Sequence, residues 1–169
     1  PEDLVDRAYE LGHAGVAITD HASLSGHVKI LAHLKKRRKQ NPNDERWQNF
    51  KLILGEEIYL TRNGLNKDNF ITGEDKYYHF ILLAKDEVGH RQIRQLSSRA
   101  WGRSWYRFMR RVPTYYSDLS EVIGENKGHV IGSSACLGSK LSQTILDAEK
   151  YRGKDEELYQ EKMDYLRSW

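Results

Sequence analysis

The pattern of apolar positions alternates along the chain between helical spacing and short, almost wholly apolar runs. Residues 2–11 place four apolar side chains on one helical stripe that ends at Gly12, which predicts an amphipathic helix. Asp86 is predicted to cap the helix that follows the third strand. The predicted helices start near residues 2, 24, 87, 116, 141 and 158, and the predicted strands cover residues 15–19, 50–60, 77–85 and 129–136.

A strand that is apolar nearly throughout is covered on both faces, so this alternation predicts parallel βα units with helices on the outside. In folds of that kind, reactive groups lie at the C-terminal ends of the strands and in the loops that follow. Three of the predicted ends carry reactive side chains. ITDHASLSGH (residues 18–27) presents Asp20 and His21, LILGEEIYL presents Glu56 and Glu57, and HVIGSSAC ends at Cys136.

Imidazole, carboxylate and thiolate groups are the ligand types of zinc and similar divalent metals, and together they would form a site that activates water against a phosphate ester. Each residue also has a structural interpretation. Asp20 is typical of a helix N-cap, His79 of a hydrogen-bonded core histidine and Cys136 of a small buried side chain. Adjacent strand residues point to opposite faces, so only one of Glu56 and Glu57 faces a given site, and the other is solvated or paired.

The charge is uneven, because residues 88–117 carry seven arginines and no acid, a net charge of +7, whereas the rest of the chain totals −4. Arginines interleaved with aromatic residues can neutralise phosphates and stack on unpaired bases. The candidates for nucleic-acid contact are Arg99, Arg103, Arg107, Arg110, Arg111, Trp101 and Trp105. The structural alternative is a helix with its aromatic residues inward and its arginines in water. The absence of acids over this stretch favours an anionic partner.

The single cysteine excludes an internal disulfide, which is typical of proteins in a reducing compartment. No apolar run reaches the roughly eighteen residues of a membrane span, and PEDLVDRAYELG at the start lacks the features of a secretion signal. We therefore expect a cytoplasmic protein with no membrane partner, in which this length forms one domain.

Four segments agree, in order and in approximate spacing, with one known family. LVDRAYELGHAGVAITDHASLSGHVK, LILGEEIYL, YYHFILLAKDEVGHRQIRQLSS and HVIGSSACLGS closely resemble parts of the polymerase-and-histidinol-phosphatase (PHP) domain of the bacterial DNA polymerase III alpha subunit. The resemblance covers residues 2–146, and the helical tail at 147–169 adds little to it.

The resemblance implies an α/β fold, a distorted parallel (β/α) barrel of the TIM-like kind, whose strand ends bind up to three divalent metal ions, zinc or manganese. By motif, it assigns His21, Glu57, His79 and Cys136 as ligands, with Glu57 as the bridging carboxylate and the catalytic residue. Asp20 is expected to support the ligands from behind, with direct ligation as the alternative. His79 lies near the start of its strand, where the strand-end rule would not place a ligand.

The first and last metal motifs of the family, His-x-His and Asp-x-His, are absent from the sequence. We therefore expect residues 1–169 to be one partial PHP domain that lacks the first and last strands of the barrel, holds part of the ligand set and is inactive alone. Its parent would be a DNA-directed DNA polymerase of a bacterium or phage, in which this domain is structural or acts as a metal-dependent 3′–5′ proofreading exonuclease.

The expected partners are DNA, as primer-template or single strand, together with the remaining polymerase domains and replisome subunits. Two other hypotheses stay open. One is a separate PHP phosphoesterase for a small phosphate monoester such as histidinol phosphate, which would not need the basic, aromatic stretch. The other is a non-catalytic module for DNA binding or subunit docking.

Overall fold

The computed structural model describes residues 1–62, 77–103 and 112–168. Within these ranges the chain forms seven helices and five strands. The helices are α1 (Glu2–Glu10), α2 (Ser25–Gln40), α3 (Glu45–Asn49), α4 (Glu87–Gly102), α5 (Tyr116–Val122), α6 (Lys140–Glu149) and α7 (Glu156–Arg167). The strands are β1 (Gly15–Ile18), β2 (Lys51–Thr61), β3 (Tyr78–Ala84), β4 (Pro113–Tyr115) and β5 (Val130–Ser134).

The strands form one mixed sheet in the order β1-β2-β3-β5, and β4 pairs with the end of β2. β1 and β4 run parallel to β2, whereas β3 runs antiparallel to both β2 and β5. The expectation of an all-parallel sheet is therefore wrong. An apolar run indicates that both faces of a strand are buried, but it does not indicate the direction of that strand relative to its neighbours.

Three apolar clusters of the described residues hold helices against this sheet. The first joins α1, α2 and α3 to β1 and the start of β2, and the second joins α4 and α5 to β2 and β3. The third joins Tyr59 of β2 to Ala22 and to Ala100 of α4. The fully buried members include Val5, Ile30 and Phe50 in the first cluster and Ile58, Ile93 and Leu96 in the second. Because the middle of α4 covers the face of β2 that carries Ile58, the Glu57 side chain on the opposite face is available to form a site.

Two helix starts bear on the predictions. The Asp86 carboxylate accepts a hydrogen bond from the Gly89 amide at 2.9 Å, which confirms Asp86 as the N-cap of α4. α2 begins after Leu24 without a side-chain cap, so the capping interpretation of Asp20 is wrong. The backbone carbonyl of Asp20 instead accepts a bond from the Glu57 amide at 3.1 Å, which ties this residue to the sheet.

In the part of the chain that the structure describes, no helix combines the length and the apolar character needed to cross a membrane.

Candidate metal centre

The centre of the site is the second half of β2, where side chains alternate between two faces. Glu57 and Tyr59 share one face of β2, and Glu56 points to the other, which packs against the middle of α4. Tyr59 lies directly opposite His79 in the ladder with β3, so the His79 side chain is on the same face as Glu57. Since β3 is antiparallel, its first residues lie beside the last residues of β2, which explains how His79 reaches the site from the start of a strand.

His21 reaches the same point by continuing the path of β1. It forms an isolated parallel bridge with Glu57, and the next residue, Ala22, donates its amide to the Glu57 carbonyl at 2.9 Å. Ala22 has a φ of +46°, a left-handed conformation that costs an alanine about 1 kcal/mol. The Trp101 indole N–H donates to the Ala22 carbonyl at 2.9 Å. These bonds hold the turn that presents His21.

The three side chains converge closely. His79 Nδ1 lies 2.7 Å from Glu57 Oε1, and His21 Nδ1 lies 3.6 Å from the same oxygen. One ligand atom from each residue fits within 4.8 Å of the others. The Glu57 side chain is 13% exposed and the His21 side chain 58% exposed, so the group opens to solvent on the His21 side. Two imidazoles and a carboxylate in this arrangement are suited to a divalent metal such as zinc.

Cys136 lies at the edge of this group, just beyond the end of β5. Its sulfur is 3.5 Å from His79 Nδ1 and accepts a hydrogen bond from the Gly138 amide at 3.3 Å. The Gly138 carbonyl in turn accepts the His79 amide at 3.0 Å. The cysteine is exposed rather than buried, so the interpretation of Cys136 as a small core residue is wrong.

Asp20 is exposed, and its carboxylate faces the first turn of α2. A Cβ atom on Gly26 would come within 3.0 Å of Asp20 Oδ2. Burial lowers the pKa of His27, which lies in that turn, while a hydrogen bond to the Gly55 carbonyl and the charge of Asp20 oppose this shift. The Asp20 carboxylate therefore lies beside the first turn of α2, and its support of the metal ligands stays a prediction.

Glu56 lies on the opposite face of β2 and is 1% exposed, so of the two alternatives expected for it, solvated or paired, solvation is wrong. The Ser97 hydroxyl of α4 donates to Glu56 Oε1 at 2.8 Å, and Oε2 is buried with no hydrogen-bond partner among the described residues. Burial raises the pKa of Glu56 to about 7, with the Ser97 bond opposing the shift.

Tyr59 is a contributor that the sequence reasoning missed. Its hydroxyl lies 3.1 Å from His21 Nδ1, and its ring meets the His79 ring edge-on with centroids 5.0 Å apart. The strand alternation could have found it, because it stands two residues after Glu57 and so shares its face.

The basic stretch is partly neutralised within the protein. Arg103 forms a two-point pair with Asp118, and Arg99 Nη1 lies 3.6 Å from Asp118 and 2.6 Å from Glu121. Burial opposes ionisation of Asp118, but the Arg103 and Tyr115 hydrogen bonds and the arginine charges hold its pKa below the usual value. Asp118, which pairs with both arginines, lies one residue beyond the acid-free segment 88–117.

The other residues predicted to contact nucleic acid take no part in these ion pairs among the described residues. Trp101 is 49% exposed, with its indole N–H directed at the turn behind His21. Arg107, Arg110, Arg111 and Trp105 lie outside the described residues. DNA binding by this stretch stays a prediction.

Comparison with known proteins gives one family and a consistent set of relatives. The PHP domain family model matches residues 1–169. The chain is 37% identical over 166 residues, 96% of its length, to "Probable DNA polymerase YorL" of Bacillus subtilis and, with the same values, to the DNA-directed DNA polymerase of Bacillus phage SPbeta. It is 29% identical over 140 residues, 82% of its length, to the DNA polymerase III subunit alpha of Helicobacter pylori. The chain spans only 12%, 12% and 10% of these relatives.

Proposed function

This chain belongs to the PHP domain family, and we propose on that basis that it serves as the PHP region of a DNA-directed DNA polymerase. The support is that relatives matching 96% and 82% of the chain are DNA polymerases or polymerase alpha subunits. In this proposal the mixed sheet is part of a distorted (β/α) barrel, and the protein works in the cytoplasm with DNA, the other polymerase domains and replisome subunits as partners.

We further propose that His21, Glu57 and His79, joined by Cys136, hold one or more divalent metal ions. The observation that carries this proposal is the convergence of ligand atoms from the first three within 4.8 Å. The thiol of Cys136 at 3.5 Å from His79 adds a fourth donor of the kind that zinc accepts. Nitrogen and carboxylate donors also suit manganese, so the donor set fits either metal.

The chemistry that this site would support is hydrolysis of a phosphodiester at a DNA 3′ end. A bound divalent cation activates water and neutralises phosphate charge, which are the two requirements of such a reaction. Glu57 would help to hold the metal through a carboxylate that already lies near both imidazoles, and His21 would face the solvent side, from which substrate would enter. Tyr59 would hold the His21 ring in position through its hydroxyl.

The test uses the intact protein that contains this chain, stripped of metal with a chelator. Calorimetric titration with MnCl₂ and with ZnCl₂ should give saturable binding, and Glu57→Gln should weaken it more than about tenfold. The same substitution should abolish 3′–5′ degradation of an end-labelled oligonucleotide while DNA synthesis continues. Glu56→Gln is the matched control, because the adjacent carboxylate lies on the opposite face and should leave metal binding unchanged.

If Glu57→Gln alters neither metal binding nor degradation, the catalytic proposal fails and a structural role remains. A small phosphate monoester hydrolysed in preference to DNA would point to the phosphoesterase hypothesis instead.

A further inference from the structure

A cleft of about 970 Å³ opens next to the candidate metal centre, between the start of β3 and the helices α6 and α7. His79 forms part of its wall and also contacts Glu57, so the cleft borders the candidate metal centre. Sites for drug-sized molecules range from about 300 to 1,000 Å³, so this volume exceeds what a phosphate ion or a small monoester requires. Its aromatic lining is Tyr77, Tyr78 and Tyr165, and its charged lining is Lys140, Lys150 and Lys162 with Asp147 and Glu161.

The three lysines differ in how their charge is balanced. Lys150 and Lys162 both pair with Asp147, at 3.1 and 2.6 Å. Lys140 forms no ion pair with a carboxylate of the described residues, and its ammonium group lies 3.4 Å from the Tyr78 hydroxyl. The cleft therefore presents the positive charge of Lys140, which has no carboxylate partner among the described residues, to an anionic ligand.

The aromatic residues surround this charge. The Lys140 ammonium lies 4.8 Å from the centre of the Tyr78 ring and 5.4 Å from that of Tyr165. Tyr165, on α7, is 45% exposed, so part of its surface remains accessible to a ligand. Rings of this kind beside a cation are the pattern by which proteins hold single strands, since bases stack on the rings and a phosphate meets the cation.

We propose that this cleft binds the 3′-terminal nucleotides of single-stranded DNA, with Lys140 at a phosphate and Tyr78 and Tyr165 against the bases. This proposal rests on the proposed function, because DNA hydrolysis at the metal centre is what would require a strand to lie near His79. The binding of the strand itself needs no metal. The cleft is separate from the arginine stretch, where Arg99 and Arg103 are already paired and where DNA binding stays a prediction.

The test is photo-crosslinking of the intact protein to a single-stranded oligonucleotide that carries 5-iodouracil near its 3′ end, in the presence of a chelator. Mass spectrometry of the digested product should find crosslinks in the peptides that contain Tyr78 or Tyr165. Lys140→Ala should lower the yield at these peptides about fivefold or more, and Lys140→Arg should restore most of it. Lys127→Ala, which removes an exposed lysine outside the cleft, should leave the yield unchanged.

Several results would overturn the proposal. These are crosslinks that avoid both tyrosine peptides, an equal loss in the Lys127 and Lys140 variants, and competition by inorganic phosphate as effective as competition by unlabelled oligonucleotide. Because the experiment excludes metal, it separates the two proposals. Metal binding and DNA degradation that persist without these crosslinks would refute the cleft alone, whereas crosslinks without metal binding would refute the catalytic proposal alone.

Discussion

The buried carboxyl of Glu56 should make the stability of the protein depend on pH, and Glu56→Gln should remove that dependence. The native residue is buried between β2 and α4, where only one of its oxygens has a described partner, the Ser97 hydroxyl. Glutamine has nearly the same shape and keeps an acceptor oxygen for Ser97, but it cannot ionise.

The size of this pH dependence follows from the pKa of Glu56, which burial raises from 4.5 to about 7. Below pH 4.5 both folded and unfolded chains hold this proton. Between pH 4.5 and 7 the unfolded chain releases it and the folded chain retains it, so the free energy of unfolding falls as the pH rises. The total contribution is about 3 kcal/mol, of which about 2.5 kcal/mol is lost between pH 5 and pH 8.

The assay is urea-induced unfolding of wild type and Glu56→Gln at pH 5 and pH 8, with a chelator present so that metal ligands do not contribute. The difference in free energy of unfolding between the two proteins should change by about 2.5 kcal/mol in favour of the variant at pH 8. Any fixed cost of burying the amide cancels in this comparison. Parallel pH profiles for the two proteins would refute the argument, because they would mean that Glu56 ionises equally in both states.

Three further substitutions test the contacts around the site and the helix behind it. Tyr59→Phe removes the hydroxyl 3.1 Å from His21 and should weaken Mn²⁺ or Zn²⁺ binding about tenfold by calorimetry, and an unchanged affinity would exclude Tyr59 as a positioning residue. Gly89→Ala would bring a Cβ within 2.0 Å of the His129 carbonyl and should cost about 2–3 kcal/mol in urea unfolding. Gly102→Ala, in the same helix but with no described atom within 4 Å of the new Cβ, should instead stabilise by about 0.5–1 kcal/mol; equal effects at the two positions would contradict the steric explanation.

The order of helices and strands could be predicted from the sequence wherever an element was long enough to show its period. The bounds of β2 and β3, for example, fall within about a residue of the apolar runs that predicted them. α3 and β4 were missed, since five and three residues are too few for a helical or strand period to stand out. Periodicity is a local signal, so it identified the elements and left their pairing open.

The residues of the site could be predicted only in part from the sequence pattern. The alternation of β2 shows that Glu56 and Glu57 face opposite sides, but choosing Glu57 required the family resemblance. The ion pairs of Arg103 and Arg99 with Asp118 connect the end of α4 to the start of α5, and no spacing rule indicates such a contact. Charge counting within a fixed segment could not detect a counter-ion that stands just outside it.

Strand direction is what brings the candidate ligands together. At about 3.3 Å per residue, His79 lies about 17 Å along β3 from Ala84, where that strand ends. In a parallel arrangement this distance would separate His79 from the strand ends at which ligands were expected. The antiparallel course of β3 instead sets His79 opposite Tyr59, two residues beyond Glu57, and the extension of β1 sets His21 beside Glu57 from the other strand. An all-parallel sheet would have left His79 far from the other candidate ligands. Because β3 runs antiparallel, His79 lies beside them.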